Sequence, residues 1–439
     1  MRSAHDADPD RSAAWTRRKF LGTVALTGVG ASLAGCGVTA GDGDKGDGTG
    51  TINALFMKQA GYSEDDIKAM TAAFQKANPK IKVTPSFVAY EALHDKIVAA
   101  APAGTYDVVL IDVIWPPEFG EKKMITDVTS KYPADWKSGM LDGALKTAVY
   151  EDKFYGVPWI LDTKYFFSNT EHLQRAKVDP ATLGTWDGVL AAARAVKKSG
   201  VKHPLIWSWS QAEAVICDYT QLLGAFDGKF LDDAGKPAFN TGGGVKALEF
   251  MRNTITEGLT NPASVESIEE DVRKTFSNGD ASFGLNWTYM YGLSQDPKES
   301  KVVGKVAIQQ TPAGPSGARP GCNGSMALSV ASGSKNQDAA WKYIAFLTSP
   351  DEQVKYAKSS LPVWKDSYDD PMVTKVAPQT VPVAKQQLAE LILRPQVSSY
   401  NAVSALLQAE IQNALLGKKP PQKALDDAAA AAADVLAKN

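Results

Sequence analysis

The sequence predicts an α/β protein made of two lobes, and three observations lead to this prediction. Strand-like and helix-like segments alternate from residue 52 onward, as they do where helices cover a largely parallel sheet. Residues 106–111 form a nearly continuous apolar run, which is typical of a central strand buried on both faces. The body runs from about Thr51 to Asn439 and is longer than a single hydrophobic core usually serves, so we expect two lobes.

The first elements follow from local patterns. Residues 52–56 predict a strand. Ser63 precedes three acidic residues and predicts a helix start, because its hydroxyl can cap the helix and acids favour the first turn. Asn78-Pro79 ends that helix. Residues 81–87 predict the next strand, and residues 90–101 predict the next helix.

Later elements are predicted from the same signals. Thr185 and Thr241 each stand where a threonine would cap a helix with one apolar face. From Asp351 onward the pattern is mostly helical. Periodicity predicts three more elements, namely strands over residues 281–286 and 325–330 and a helix over residues 338–348.

The N-terminus has the pattern of an export signal. Arg17 and Arg18 form a twin-arginine pair, a weakly apolar stretch follows, and Leu33-Ala34-Gly35-Cys36 is similar to the lipobox of bacterial lipoproteins. The stretch before Cys36 is too short and too rich in glycine to span a bilayer. We therefore expect a twin-arginine lipoprotein signal peptide over residues 1–35, with lipidation at Cys36. Residues 36–50 are rich in Gly and Asp and predict a flexible tether.

Composition narrows the classes of function. A net charge of -2 gives no basic excess that would point to nucleic acid. The 4 histidines and 3 cysteines form none of the familiar metal motifs, so we expect no metal and no cofactor. Cys217 and Cys322 could form a disulfide outside the cell or remain buried thiols, and the sequence leaves both alternatives open.

Several segments occur in an order that resembles the family 1 extracellular solute-binding proteins of bacteria, the maltose- and trehalose-binding type. Each motif alone is weak, and their order and spacing carry the resemblance over essentially the whole body. The segments are residues 106–115, Tyr155-Gly156-Val157-Pro158-Trp159 with Asp162, Thr185-Trp186-Asp187, residues 276–281 with Asn286-Trp287, Ala339-Ala340-Trp341 through Phe346-Leu347-Thr348-Ser349-Pro350, and Leu361-Pro362-Val363-Trp364 with Tyr368-Asp369-Asp370-Pro371.

This resemblance implies a periplasmic-binding-protein-like fold, in which two α/β lobes joined by a hinge enclose a central ligand cleft. Lobe 1 would comprise residues 51–161 and 311–349, and lobe 2 would comprise residues 162–310 and 350–439. The implied function is that of the extracytoplasmic substrate-binding component of an ABC importer for a sugar, a di- or oligosaccharide. Such a protein is not an enzyme. It closes on the carbohydrate and delivers it to the permease subunits, and we expect a monomer held at the cell membrane by the lipid on Cys36.

Sugar chemistry and strand ends select the candidate binding residues. Hydroxyl groups need strong acceptors such as carboxylates, and the C–H faces of a sugar pack on aromatic rings. Asp112 sits just past the strand at 106–111, where ligands of open α/β sheets bind. In the resembled family, Asp162 matches an acidic sugar ligand and Trp287 matches a stacking tryptophan. The candidate sugar-binding residues are Asp112, Trp115, Asp162, Trp209, Gln211, Asn286, Trp287, Tyr289, Asn323 and Trp364.

Two rival functions remain at the level of the sequence. An exported glycosidase would need two carboxylates across the bond, which Asp112 and Asp162 could supply, but no glycosidase motif accompanies them. The second rival is a binding protein for a non-sugar solute. A polyamine site would need acidic side chains around a group of aromatic rings, and a polyol phosphate site would need converging cations, for which Arg319 and Lys365 are candidates. The sequence also departs from the trehalose-binding branch at Gln211 and at Cys322-Asn323-Gly324, and the identity of the sugar therefore stays open.

Overall fold

A computed structural model describes residues 49–58 and 61–438 of the chain. The predicted signal peptide, the predicted lipidation site Cys36 and nearly all of the predicted tether lie outside the described residues. Within the described residues, no helix combines the length and the apolar character needed to cross a bilayer.

The strands that the structure describes are short, and most are buried. In chain order they are β1 (Gly50–Met57), β2 (Ile81–Val88), β3 (Val108–Asp112), β4 (Val149–Tyr150), β5 (Lys153–Phe154), β6 (Val157–Ile160), β7 (Tyr165–Asn169), β8 (Leu205–Ile206), β9 (Phe283–Asn286), β10 (Val306–Gln309), β11 (Gly321–Cys322), β12 (Met326–Val330) and β13 (Leu391–Ile392).

Helices make up most of the remaining regular structure. In chain order they are α1 (Glu64–Ala77), α2 (Tyr90–Ala100), α3 (Pro116–Glu121), α4 (Ala134–Gly139), α5 (Asp142–Leu145), α6 (Thr170–Arg175), α7 (Trp186–Lys198), α8 (Glu213–Ala225), α9 (Gly243–Thr256), α10 (Glu269–Ser277), α11 (Tyr289–Ser294), α12 (Gln337–Leu347), α13 (Pro350–Lys355), α14 (Pro371–Val376), α15 (Thr380–Gln387), α16 (Tyr400–Leu415) and α17 (Pro421–Leu436). The helical pattern predicted beyond Asp351 is confirmed by α14 to α17.

Two sheets organise the body. The first has the strand order β2-β1-β3-β12-β6, in which β1 pairs in parallel with β2 and β3, while β12 runs antiparallel to β3 and β6. The second has the order β10-β7-β9-β8, in which β7 runs antiparallel to β9 and β10. The α/β fold class is confirmed, and each sheet is mixed rather than purely parallel.

The chain passes between the two sheets at the positions where candidate residues lie. It leaves the first sheet at the end of β6 and enters the second at β7, so Asp162 lies in the crossing segment. It returns from β10 to β12, and Asn323 lies on that return. All strands of the second sheet fall between Tyr165 and Gln309. The division of the remaining residues between the two predicted lobes stays a prediction.

Successive side chains of β7 point into different hydrophobic clusters, one on each face of the second sheet. In β7, Phe166 belongs to a hydrophobic cluster with α8, α9, α16 and α17, whereas Phe167 belongs to a different cluster with α10 and α14. Successive residues of a strand point to opposite faces, so helices cover both faces of the second sheet. A third cluster surrounds the first sheet and includes Leu110 and Ile111 of the predicted central strand.

Two of the predicted helix caps are present and one is absent. Ser63 forms a capping box with Asp66, and the hydroxyl of Thr185 accepts from the backbone N–H of Gly188 at 3.1 Å. The prediction for Thr241 is wrong: α9 begins after Gly242, and the hydroxyl of Thr241 donates to the Ala238 carbonyl at 2.9 Å. The Thr241 hydroxyl bonds within the turn before the helix, and Gly242, which occupies the N-cap position of α9, has no side chain that could cap it.

Candidate functional site

A cleft opens where segments from both sheets converge. The strand ends of the first sheet contribute Asp112, the crossing segment contributes Asp162, and the loop after β9 contributes Trp287. The cleft encloses about 790 Å³ of empty space, counted out to open solvent. The lining residues are Met57, Tyr90, Glu91, Asp112, Ile160, Asp162, Ala212, Glu213, Ala214, Cys217, Ile268, Glu269, Glu270, Trp287, Tyr289, Gly324, Met326 and Arg394.

Asp112 is the last residue of β3 and is buried with both carboxylate oxygens occupied. Tyr90 donates its hydroxyl to Oδ2 at 2.8 Å, and Arg394 donates from Nη2 to Oδ1 at 2.8 Å. Arg394 is itself only 1% exposed. The carboxylate therefore forms a fixed polar wall of the cleft, because a buried charge is tolerated when it is paired and hydrogen-bonded.

Arg394 joins this wall to Glu213 at the N-terminus of α8. Its Nη1 donates to Glu213 Oε1 at 2.7 Å, and the hydroxyl of Ser404 donates to Glu213 Oε2 at 2.6 Å. The carboxylate at the first turn of a helix is also favoured by the helix dipole. Arg394 thus links the end of β3 to α8 and, through Glu213, to α16.

Asp162 is buried and no cation of the described residues bonds to it. The backbone N–H of Thr163 donates to Oδ1 at 2.8 Å, the backbone N–H of Thr288 donates to Oδ2 at 3.2 Å, and the Thr288 hydroxyl also donates to Oδ1. Burial raises the pKa of Asp162 to about 7, and these hydrogen bonds offset only part of that effect.

The indole of Trp287 is held on the cleft wall by its neighbours. Its Nε1 donates to Glu269 Oε1 at 3.2 Å, and its backbone N–H donates to the Asn286 side chain at 2.8 Å. The ring lies directly over Gly324, where any β-carbon would overlap the six-membered ring. A glycine is therefore required at this position for the ring to adopt this pose.

Tyr289 is a second aromatic side chain in the lining of the cleft. Its hydroxyl lies 3.4 Å from Glu270 Oε2, and Arg273 binds Glu270 with two hydrogen bonds at 2.6 and 2.8 Å. Burial, followed by the charges of Glu270 and Glu269, raises the pKa of Tyr289, so its hydroxyl remains a donor.

The structure brings four of the ten candidate residues to the cleft: Asp112, Asp162, Trp287 and Tyr289. Two others support that group from behind. The Asn286 amide donates to the Glu269 carbonyl at 2.8 Å, and Trp115 stacks on Tyr90 with ring centroids 5.9 Å apart.

The remaining four candidates lie away from the cleft lining. Trp209 is fully buried and stacks on Trp207 at 5.3 Å, within a core cluster of the second sheet. Asn323 bonds to the Gly143 carbonyl and to the Ser325 N–H, and its side chain faces a separate pocket. Trp364 packs in the cluster of the first sheet and donates to the Thr348 carbonyl at 2.8 Å. Gln211 is exposed next to the cleft residue Ala212.

Sequence reasoning did not select Tyr90, Glu213, Glu269 or Arg394. Glu213 and Glu269 begin helices that line the cleft, which is a local signal that could have indicated them. Arg394 lies 282 residues from Asp112 along the chain, so no local pattern connects the two.

The described residues contain no cluster of three or more His, Cys, Asp or Glu side chains that could hold a metal ion. Cys217 lines the cleft, Cys322 lies on β11, and both are buried free thiols.

The cleft lies between two mixed β-sheets that helices cover, and carboxylates and aromatic rings line it. This arrangement is typical of binding proteins of the periplasmic type. The chain belongs to the bacterial extracellular solute-binding proteins, because the sequence model of that family matches residues 60–354, more than half of its length. It is therefore a solute-binding component of an ABC transporter, and proteins of this family work outside the cytoplasm.

Individual relatives agree with this assignment. A probable ABC transporter-binding protein of Deinococcus radiodurans is 28% identical over 337 residues, covering 74% of this chain and 79% of the relative. The structure of T. maritima MalE3 bound to maltose is 28% identical, has a TM-score of 0.82, and covers 88% of this chain and 100% of that chain. A solute-binding protein of Thermotoga lettingae bound with alpha-D-tagatose has the same fold, with a TM-score of 0.80 at 23% identity, over 88% of this chain and 99% of that chain.

Proposed function

We propose that this protein captures a sugar, a di- or oligosaccharide, outside the cytoplasmic membrane and delivers it to the permease subunits of an ABC importer. The observation that carries the proposal is that Trp287 and Asp162 both line the cleft, and that the backbone N–H of Thr288, the residue after Trp287, donates to the Asp162 carboxylate. The ring offers an apolar surface for the C–H face of a sugar, and the carboxylate accepts from its hydroxyls. The maltose bound by the similar T. maritima protein is a ligand of this chemistry.

The balance of hydrogen-bonding groups supports a ligand rich in hydroxyls. Carboxylates of Asp112, Asp162, Glu213, Glu269 and Glu270 line the cleft, whereas Arg394 is the only basic side chain in the lining of the described residues. The oxygens of these side chains are hydrogen-bond acceptors, so a ligand with many hydroxyl donors is complementary to the lining. A phosphate group carries negative charge and would need converging cations, so this lining disfavours a polyol phosphate.

A polyamine is the second candidate, and the same lining favours it. Tyr90, Trp287 and Tyr289 supply aromatic faces, and the surrounding carboxylates would attract ammonium groups. A glycosidase receives less support, because both oxygens of Asp112 are held by Tyr90 and Arg394 and neither is free to act as a general base.

The mechanism that we propose is closure around the sugar. Lobe 1 (51–161 and 311–349) and lobe 2 (162–310 and 350–439) would rotate about the segments that cross between the sheets. The closed monomer would then dock on the permease, while the lipid on Cys36 and the tether over residues 36–50 keep it near the membrane.

Isothermal titration of the body from Thr51 onward tests the proposal, with trehalose, maltose, cellobiose, xylo-oligosaccharides, glucose and the polyamine spermidine as ligands. We expect one sugar to bind tightly. We expect Trp287→Ala to weaken its binding by about 2 kcal/mol or more, because stacking tryptophans dominate the free energy of binding. Asp162→Ala should weaken it comparably, because it removes a carboxyl group that can hydrogen-bond to the hydroxyls of the sugar.

Trp341→Ala is the matched control, because Trp341 is a partly buried tryptophan that stacks on Trp136 against the core of the first sheet and does not line the cleft. Binding of spermidine together with no measurable binding of any of the sugars would establish the polyamine as the ligand class. Sugar binding that survives both cleft substitutions would place the site elsewhere.

A further inference from the structure

Lys164 lies behind the aromatic wall of the cleft, immediately before β7, and does not itself line the cleft. Its side chain is fully buried. The ammonium Nζ donates to Asp218 Oδ1 at 2.7 Å, to Ser208 Oγ at 2.7 Å and to the Ala214 carbonyl at 3.3 Å, and it forms an ion pair with Glu269 Oε1 at 2.9 Å. A buried ammonium is costly unless it is fully partnered, and this one is.

The Glu269 oxygen that binds Lys164 is the oxygen that accepts from the indole of Trp287. Oε1 lies 2.9 Å from Lys164 Nζ and 3.2 Å from Trp287 Nε1, and the ammonium is 5.2 Å from the centroid of the indole ring. The three groups therefore form one chain of contacts from ammonium to carboxylate to indole. The Glu269 side chain is 19% exposed at the cleft, so without an internal partner it could turn toward solvent.

Lys164 also ties this chain to the rest of the second sheet. Asp218 lies on α8, and Ser208 follows β8. Burial alone would lower the pKa of Lys164, but the charges of Asp218 and Glu269 raise it above its ordinary value, so the side chain stays an ammonium. A permanent charge held by two elements is a rigid anchor for Glu269.

We propose that Lys164 is a positioning residue for ligand binding, which fixes the Trp287 indole in its stacking pose through Glu269. The inference deepens the proposed function and rests on it, because the pose matters only if Trp287 stacks on a ligand. Lys164 touches no ligand itself. Its effect is the orientation of the ring.

The test uses ¹⁹F NMR of the protein labelled with 5-fluorotryptophan, which reports the environment of each indole without any ligand. The Trp287 resonance is assigned by its loss in Trp287→Phe, and a reference resonance by its loss in Trp341→Phe. In Lys164→Met we expect the Trp287 resonance to move and broaden while the Trp341 resonance stays in place. Titration with maltose and trehalose should show about tenfold weaker binding of whichever sugar the unmodified protein binds, as for residues coupled in one network.

Three further variants keep the inference falsifiable. Glu269→Met removes the link but leaves Lys164 paired with Asp218, so it replaces Lys164→Met if that variant fails to fold, with the same expected result. Glu269→Gln retains an oxygen for the indole, and its Trp287 resonance should stay single and sharp. Lys305→Met removes an exposed lysine that pairs with Glu171, and it should change nothing.

An unmoved Trp287 resonance in folded Lys164→Met or Glu269→Met would overturn the inference. A protein that binds no sugar would contradict the proposed function instead, and the resonance would still decide whether Lys164 positions the ring.

Discussion

At the scale of single residues, the buried carboxyl group of Asp162 is expected to make the stability of the fold depend on pH. Burial raises the pKa of its carboxyl from 3.8 in the reference state to about 7 in the fold. The folded state therefore holds a proton that the unfolded chain has already released between these two values. The stability that this group contributes is fully present below pH 3.8 and is lost as the pH rises through about 7.

This loss predicts the behaviour of Asp162→Asn, which cannot ionise. The free energy of unfolding of the variant, relative to the unmodified protein, should rise between pH 4 and pH 8, by at most about 4 kcal/mol for a shift of this size. Urea unfolding at pH 4, 5.5, 7 and 8 measures the difference. Asp65→Asn, at a side chain that is 96% exposed, corrects for the loss of one carboxylate. A pH-independent difference would mean that Asp162 is ionised throughout this range.

The same scale shows which site residues the sequence can predict. Asp112 follows from its place at the end of an apolar strand, because strand ends are visible in the sequence. Asp162, Trp287 and Tyr289 came from the family resemblance and from the residue types that a sugar requires. Arg394 cannot be predicted as a site residue from the sequence, because only the folded chain places it between Asp112 and Glu213.

At the scale of elements, the two helix starts at Ser63 and Thr241 make a matched pair. Ser63 accepts from the N–H of Asp66 at 3.1 Å, whereas Thr241 donates to a carbonyl that precedes its helix. Ser63→Ala should lower the free energy of unfolding by about 1 kcal/mol, and Thr241→Ala by less than about half of that. Urea unfolding with sugar titration measures both. Equal losses would contradict the assignment of the caps, and neither change should alter sugar affinity.

Most elements could be predicted, because their signals are local. The apolar run that became β3 and the caps of α1 and α7 depend on residues within one or two turns. Pairing direction depends on where distant segments return. The antiparallel placement of β12 beside β3 brings residues 326–330 against residues 108–112, and no periodicity encodes that.

At the scale of the whole molecule, the two sheets are linked across the cleft by one buried cation. Asp112 ends a strand of the first sheet, and Glu213 begins α8, which packs in a core of the second sheet. Arg394 holds both carboxylates at 2.7 to 2.8 Å and is almost fully buried. The contact between the two sheets at this point therefore depends on the positive charge of Arg394, which neutralises the carboxylates of Asp112 and Glu213.

Replacement of Arg394 by methionine therefore tests how the two halves stay together. Arg394→Met leaves the buried carboxylate of Asp112 and the partly buried carboxylate of Glu213 without their shared cation, so we expect the free energy of unfolding to fall by about 3–5 kcal/mol. Small-angle X-ray scattering of the variant without ligand should give a larger radius of gyration, because like charges favour separation of the lobes. In the triple variant Arg394→Met/Asp112→Asn/Glu213→Gln, which removes the repulsion, both quantities should return toward those of the unmodified protein. If Arg394→Met keeps its radius of gyration while losing stability, the guanidinium stabilises the fold locally, and closure is controlled by other contacts.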